Sequence, residues 1–144
     1  MIEYIIKKQY VNGKSGIKIL AIRDGKIIGN TGFVEYTKTA YSHLNIGEIE
    51  YEDEVFSLFV DECERKNGIG KNLVEKLVQE TQKVHKYLLI PNTTKNSRTF
   101  YKKVLSELKN DKIITDFEER GRFPPHMKDL NKHQKDFLVS LNFT

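Results

Sequence analysis

The spacing of apolar residues changes along the chain, and the changes mark its elements. Residues 2–7 alternate as a half-buried strand does, and Asn12-Gly13 followed by Gly16 reads as a turn. Residues 17–23 and 26–34 flank Asp24-Gly25, a pair able to supply the positive φ angles of a two-residue hairpin. Residues 55–60 are instead almost continuously apolar, which predicts a central strand buried on both faces. Helical spacing follows. Ile69, Leu73, Leu77 and Val84, with Val74 and Val78 beside them, form one wide stripe and predict a helix from Gly68 onward. Residues 87–90 read as a strand, and Asn96 suits the N-cap of a second helix with apolar positions Phe100, Val104, Leu105 and Leu108. Residues 112–117 and 137–143 read as closing strands. Residues 35–53 are polar and weakly patterned, and Pro124-Pro125 interrupts a long loop before the last strand.

The chain has 144 residues, which suits one domain spanning 1–144 and a single core. Its one cysteine, Cys63, excludes an intramolecular disulfide framework. No apolar run is long enough to cross a bilayer, and MIEYIIKKQY is too short and too charged for a secretory signal. A cytoplasmic protein without a membrane partner is the expectation. The formal charge is +4, with 24 basic residues interleaved among 20 acidic ones. That balance does not demand nucleic acid and equally suits a polyanionic cofactor. His43, His85, His126 and His133 show no metal-ligand spacing, so no metal is expected.

Strand, glycine-containing loop and helix is the order in which backbone N–H groups converge on an anion, because the first helical turn has unpaired donors and the positive end of the dipole. Gly68 and Gly70 sit at that point, with Lys66 and Lys71 adding charge. A glycine pair at a helix start is also an ordinary turn. The stretch lacks the lysine-serine or lysine-threonine ending of a nucleotide P-loop and the third glycine of a dinucleotide fingerprint.

Residues 55–73, VFSLFVDECERKNGIGKNL, resemble motif A of the GNAT acetyltransferase superfamily, which has Gln or Arg, two residues, Gly, one residue, then Gly or Ala. Arg65, Gly68 and Gly70 occupy those places, and the resemblance covers residues 17–105, including NSRTFYKKV. It implies an α/β (α+β) fold with a mixed, mostly antiparallel sheet of about seven strands flanked by helices. It further implies acetyl-CoA as co-substrate. Backbone N–H groups from Arg65 through Lys66, Asn67, Gly68, Ile69 and Gly70 to Lys71 would cradle the pyrophosphate. The strand edge at Leu58, Phe59 and Val60 would pair with the pantetheine arm, a backbone N–H near Phe59 or Val60 meeting the oxyanion. Asn96 would contact the same arm, although its capping role explains its position equally well and the family's asparagine aligns nearer Thr94.

Acyl transfer to an amine needs a neutral nucleophile, a polarised carbonyl and a proton for the leaving thiolate. A lysine-like amine is neutral only about once in 2,500 at pH 7, so a base is useful. Glu54 resembles the family's general-base glutamate in its spacing from Arg65, with Glu50 and Glu52 as neighbouring alternatives. Tyr101 resembles the tyrosine that protonates the thiolate, and an aromatic packed beside Phe100 is the other reading of it. Arg98 and Lys102 could reach the coenzyme's 3'-phosphate or simply face solvent.

The pattern also departs from the family. Residues 8–16 cannot hold the usual first pair of helices, and no Gly-Phe follows the tyrosine helix. The acceptor wall is therefore placed in residues 35–53 and 119–134, with Tyr36, Tyr41 and Arg122 as its markers. The expected activity is N-acetylation of a small amine, a protein lysine or an N-terminus, with a homodimer a reasonable assembly. A non-catalytic acyl-CoA-binding or interaction module is the alternative. A basic nucleic-acid-binding domain rests only on the basic balance and scattered Lys and Tyr residues.

Overall fold

Asp24 and Gly25 take positive φ angles of 51° and 79° and form the two-residue turn that their chemistry predicts. They join β2 (Lys14–Arg23) to β3 (Lys26–Glu35), with Arg23 opposite Lys26. The structure is a computed structural model that describes residues 1–11, 13–35, 40–42, 58–64, 67–93, 95–121 and 135–142. β1 (Ile2–Val11) pairs with β2 along its whole length, from Ile2 opposite Arg23 to Val11 opposite Lys14. The first strand thus outruns the alternation of residues 2–7, and no helix pair separates it from the second.

Gly16 lies inside β2 rather than in the preceding turn. A Cβ there would fall on the Phe33 carbonyl oxygen and close to the Val34 Cα across the ladder, so close backbone approach is what requires glycine. Gly16→Ala should cost about 3 kcal/mol of stability, because backbone atoms cannot swing aside as a side chain would. Urea unfolding checks it: the midpoint should fall with the slope unchanged, and an unshifted midpoint refutes this reading of Gly16.

The sheet then departs from a simple meander. β4 (Ala40–Ser42) pairs antiparallel with Phe33 to Glu35 of β3, and β5 (Leu58–Val60) pairs antiparallel with Gly29 to Thr31 of the same strand. The two short strands lie end to end along one edge of β3. Only β4 continues the sheet, through parallel pairing with β6 (Tyr87–Thr93). β7 (Ile114–Gly121) and β8 (Lys135–Leu141) finish it, the last strand inserting between β6 and β7. The order β1-β2-β3-β4-β6-β8-β7 with β5 off the path gives eight described strands in seven positions, antiparallel except for β4 with β6. The continuous apolar run of residues 55–60 ends in β5, which among the described residues pairs with β3 alone, and residues 55–57 lie outside the described residues.

Two helices cover one face. α1 (Ile69–Thr81) starts directly after Gly68, and its stripe of Ile69, Leu73, Val74, Leu77 and Val78 is buried. Val84 does not extend the stripe: the helix ends at Thr81, whose hydroxyl donates to the Leu77 carbonyl at 2.6 Å, and Val84 is 52% exposed in the following turn. α2 (Lys95–Asn110) buries Val104, Leu105 and Leu108 against the same core as Leu88, Phe137 and Val139. Each such fully buried aliphatic side chain contributes about 2 kcal/mol of transfer free energy. Asn96 is not the cap expected of it. α2 begins at Lys95, one residue after position 94, so Asn96 lies within the first turn. β7 begins two residues and ends four residues after the run 112–117, whereas β8 begins and ends two residues before the run 137–143. Lys112, at a φ of 62°, belongs to the turn before β7. Among the described residues no helix is long and apolar enough to cross a membrane.

Candidate functional site

α1 begins at a residue with no side chain. Gly68 holds a φ of 79°, the left-handed conformation that glycine alone adopts without strain, and its carbonyl accepts the first intrahelical bond, from the Asn72 N–H at 3.0 Å. Ile69, Gly70 and Lys71 precede that bond, so their N–H groups have no intrahelical acceptor. No capping side chain is available at Gly68, and the first turn carries no acidic residue. A Cβ built on Gly68 meets nothing within 4 Å among the described residues. The fold thus presents backbone donors at the positive end of a 13-residue helix, the chemistry that suits a pyrophosphate.

Gly70 has a second reason to be glycine. A Cβ on it would come within 3.1 Å of Phe100 Cζ and 3.9 Å of Val60 Cγ2. The start of α1, the end of β5 and the first half of α2 therefore meet at this residue. Phe100 lies edge-on against Tyr101, with ring centroids 5.3 Å apart, and Tyr101 in turn packs at 6.1 Å from Phe137. Tyr101 is 4% exposed and belongs to the core cluster. The structure thus brings Val60, Gly68, Ile69, Gly70 and Tyr101 into one junction. Leu58 and Phe59 are placed by their backbone in β5, and Asn96 by its backbone in the first turn of α2. Glu54, Glu50, Glu52, Arg65, Lys66, Tyr36 and Arg122 lie outside the described residues, and Tyr41 is placed by its backbone in β4.

Several cations expected near the coenzyme are engaged by carboxylates. Lys71 Nζ lies 3.0 Å from Glu107 Oε1, tying α1 to α2. That hydrogen bond, and then the Glu107 charge, hold the exposed Lys71 amine above its ordinary pKa. The backbone N–H of Lys71 stays in the cradle while its side chain binds the neighbouring helix. Arg98 Nε and Lys102 Nζ stand 3.4 and 3.9 Å from the Glu119 carboxylate on β7.

Four charged residues had escaped the sequence reading. Arg23 Nη2 donates to Glu64 Oε1 at 3.2 Å, and Lys26 Nζ lies 3.7 Å from Asp61 Oδ2. The Asp61 N–H donates to the Ile28 carbonyl at 2.7 Å. Together these contacts fasten the short 3-10 turn Glu62–Glu64 to the β2–β3 hairpin, immediately before the glycine loop. The signal was present as complementary runs, RDGK at the hairpin tip and DECE after β5.

A family model described as an acetyltransferase (GNAT) domain matches residues 15–104, more than half of the chain. The chain belongs to the GNAT acetyltransferase family. The solved structures it resembles share the fold at low identity. A Bacillus subtilis acetyltransferase in complex with CoA matches with a TM-score of 0.63 and 11% identity, over 98% of this chain and 99% of that one. A GNAT family acetyltransferase from Elizabethkingia anophelis with acetyl-CoA bound matches at 0.57 and 15%, over 96% and 97%. A Bacillus anthracis protein described as a streptothricin acetyltransferase, in complex with acetyl coenzyme A, matches at 0.55 and 20% identity, over 94% of this chain. The chain spans 66% of the length of that protein. No curated protein matches the sequence. In this GNAT chain the hairpin, β5, the glycine loop and α1 all fall inside the matched residues, as do Phe100 and Tyr101.

Proposed function

We propose that the protein is an N-acetyltransferase that binds acetyl-CoA at the start of α1 and passes the acetyl group to a primary amine by direct attack in a ternary complex. The observation that carries this reading is the Gly68 junction. An uncapped helix start, where a Cβ on Gly68 meets no described residue within 4 Å, adjoins β5, the strand that leaves the path of the sheet. The pyrophosphate would take the N–H groups from Arg65 to Lys71, and the pantetheine arm would lie along Leu58, Phe59 and Val60, with Asn96 beside it. In the reaction the amine nitrogen forms a bond to the thioester carbon and the C–S bond breaks. The amine proton passes to Glu54, and the thiolate takes its proton from Tyr101. Amide and coenzyme A with a free thiol are the products.

The lone, exposed Cys63 suits a reducing cytosol, where we place the enzyme, and a second copy of the chain is the partner we expect. Calorimetric titration with acetyl-CoA, followed by thiol release with a panel of amines, tests the reading. Micromolar binding with amine-dependent release supports it, binding without release favours a non-catalytic module, and no binding by the folded protein refutes both. Glu54→Gln should abolish the acidic limb of the pH–rate profile, which reports the base. A limb retained in that variant but lost in Glu50→Gln or Glu52→Gln moves the role to the neighbour.

A further inference from the structure

Arg23 and Lys26 stand directly opposite each other across the ladder of β2 and β3, joined by the tight turn of Asp24 and Gly25. Like charges so placed are destabilising. Two carboxylates meet the pair: Arg23 Nη2 donates to Glu64 Oε1 at 3.2 Å, and Lys26 Nζ lies 3.7 Å from Asp61 Oδ2. Asp61 and Glu64 are three residues apart around a 3-10 turn, where side chains at that spacing eclipse, so both carboxylates leave on one side. The backbone supports the same seat. The Asp61 N–H donates to the Ile28 carbonyl at 2.7 Å, and the Glu64 N–H to the Asp61 carbonyl at 2.9 Å. The Glu64 side chain is only 18% exposed, so water screens its ion pair less than an open surface pair. Four residues on, Gly68 leads into α1, where the Lys71 amine is tied to Glu107 of α2 at 3.0 Å. The stretch assigned above to the pyrophosphate therefore runs between two ionic anchors, one on the hairpin and one on α2.

We infer that Arg23 and Glu64 are positioning residues for acetyl-CoA: their ion pair fixes residue 64 before the coenzyme arrives, so the donors that follow it need less ordering on binding. The inference rests on the coenzyme-binding half of the N-acetyltransferase reading. Neither side chain touches the coenzyme. A chain segment that is already held loses less conformational entropy when a ligand settles on it, and the difference appears as affinity. The effect is confined to binding. Once the coenzyme is seated, the same donors engage it with or without the ion pair, so the transfer step keeps its rate. An ion pair with a structural role alone would contribute slightly to global stability and nothing to coenzyme affinity.

Reversing one charge at a time tests this, because long-range attraction and positioning predict different signs. Acetyl-CoA is an anion, so attraction alone would make Arg23→Glu weaken binding and Glu64→Arg strengthen it. Positioning requires both to weaken it. Each variant should raise the acetyl-CoA Kd about tenfold by calorimetry, the order expected when the backbone of one residue must be fixed on binding. The double variant, which restores an ion pair in the reversed sense, should return to within about threefold of wild type. At saturating acetyl-CoA kcat should stay within about twofold, and the melting temperature within about 3 °C, as suits a partly exposed pair. Lys83→Gln, which removes an exposed pair with Glu80 at the far end of α1, should leave the Kd unchanged. A Glu64→Arg protein that binds more tightly, folded single variants with the wild-type Kd, or a double variant that shows the summed loss overturns the inference alone. If a charge-reversal variant does not fold, Glu64→Gln decides, and a wild-type Kd in it counts against the inference. Wild-type protein that binds no acetyl-CoA overturns the parent reading and this one together. Binding without thiol release overturns the transfer reading only, and the Kd comparison still decides the role of Arg23 and Glu64.

Discussion

The Gly68→Glu protein is expected to fold and to bind acetyl-CoA at least about a hundredfold more weakly than wild type, the loss of two charge-assisted hydrogen bonds to a pyrophosphate. Two effects of the substitution separate cleanly. The left-handed φ of 79° will strain any side chain, at about 1–2 kcal/mol, which lowers the melting temperature but leaves a folded protein. Among the described residues nothing lies within 4 Å of a Cβ at this position, so the first side-chain atom is accommodated. The new carboxylate lies beside the N–H groups of Ile69, Gly70 and Lys71, which have no intrahelical acceptor, where it competes for the donors and repels the phosphates. Gly68→Asn is the control, because asparagine tolerates the left-handed region and carries no charge. Calorimetry should find Gly68→Asn close to wild type. A folded Gly68→Glu protein with wild-type affinity would place the coenzyme elsewhere.

The elements that could be read from sequence were those fixed by short-range chemistry. Asp24-Gly25 specifies its own backbone angles, and the stripe from Ile69 to Val78 specifies a buried face, so both emerged where expected. Val84 shows the limit of spacing. It continues the helical period, but Thr81 turns the chain out of the helix before that residue is reached. Asn96 shows the limit of residue preference, since the exit from β6 at Thr93 fixes where α2 begins and leaves Asn96 inside it. Non-local pairing was less legible. That β4 and β5 would share one edge of β3 depends on tertiary contacts, which no local pattern encodes. The same holds for the clamp of Arg23 with Glu64, 41 residues apart. Among the candidate site residues, the glycines were legible through backbone freedom, whereas the packing role of Gly70 depends on Phe100, which lies against it in the fold.

Tyr101→Phe is expected to lower kcat about a hundredfold or more, while acetyl-CoA affinity and melting temperature stay close to wild type. The packing explains why this variant is informative. The ring is 4% exposed and lies between Phe100 and Phe137, so phenylalanine preserves both aromatic contacts and removes the hydroxyl alone. Tyr101→Ala would cost about 3–5 kcal/mol through the cavity it leaves and would confuse catalysis with folding. If Tyr101 is an aromatic of the core and nothing more, the phenylalanine variant keeps its kcat. The pH dependence separates the roles further. A thiol of ordinary pKa, about 8.5, needs a proton donor to leave well at neutral pH but departs readily as thiolate above that value. The defect of Tyr101→Phe should therefore be deepest near pH 7 and narrow above pH 8.5. A defect that is constant across this range would mean that the hydroxyl orients the junction of β5, α1 and α2 and delivers no proton.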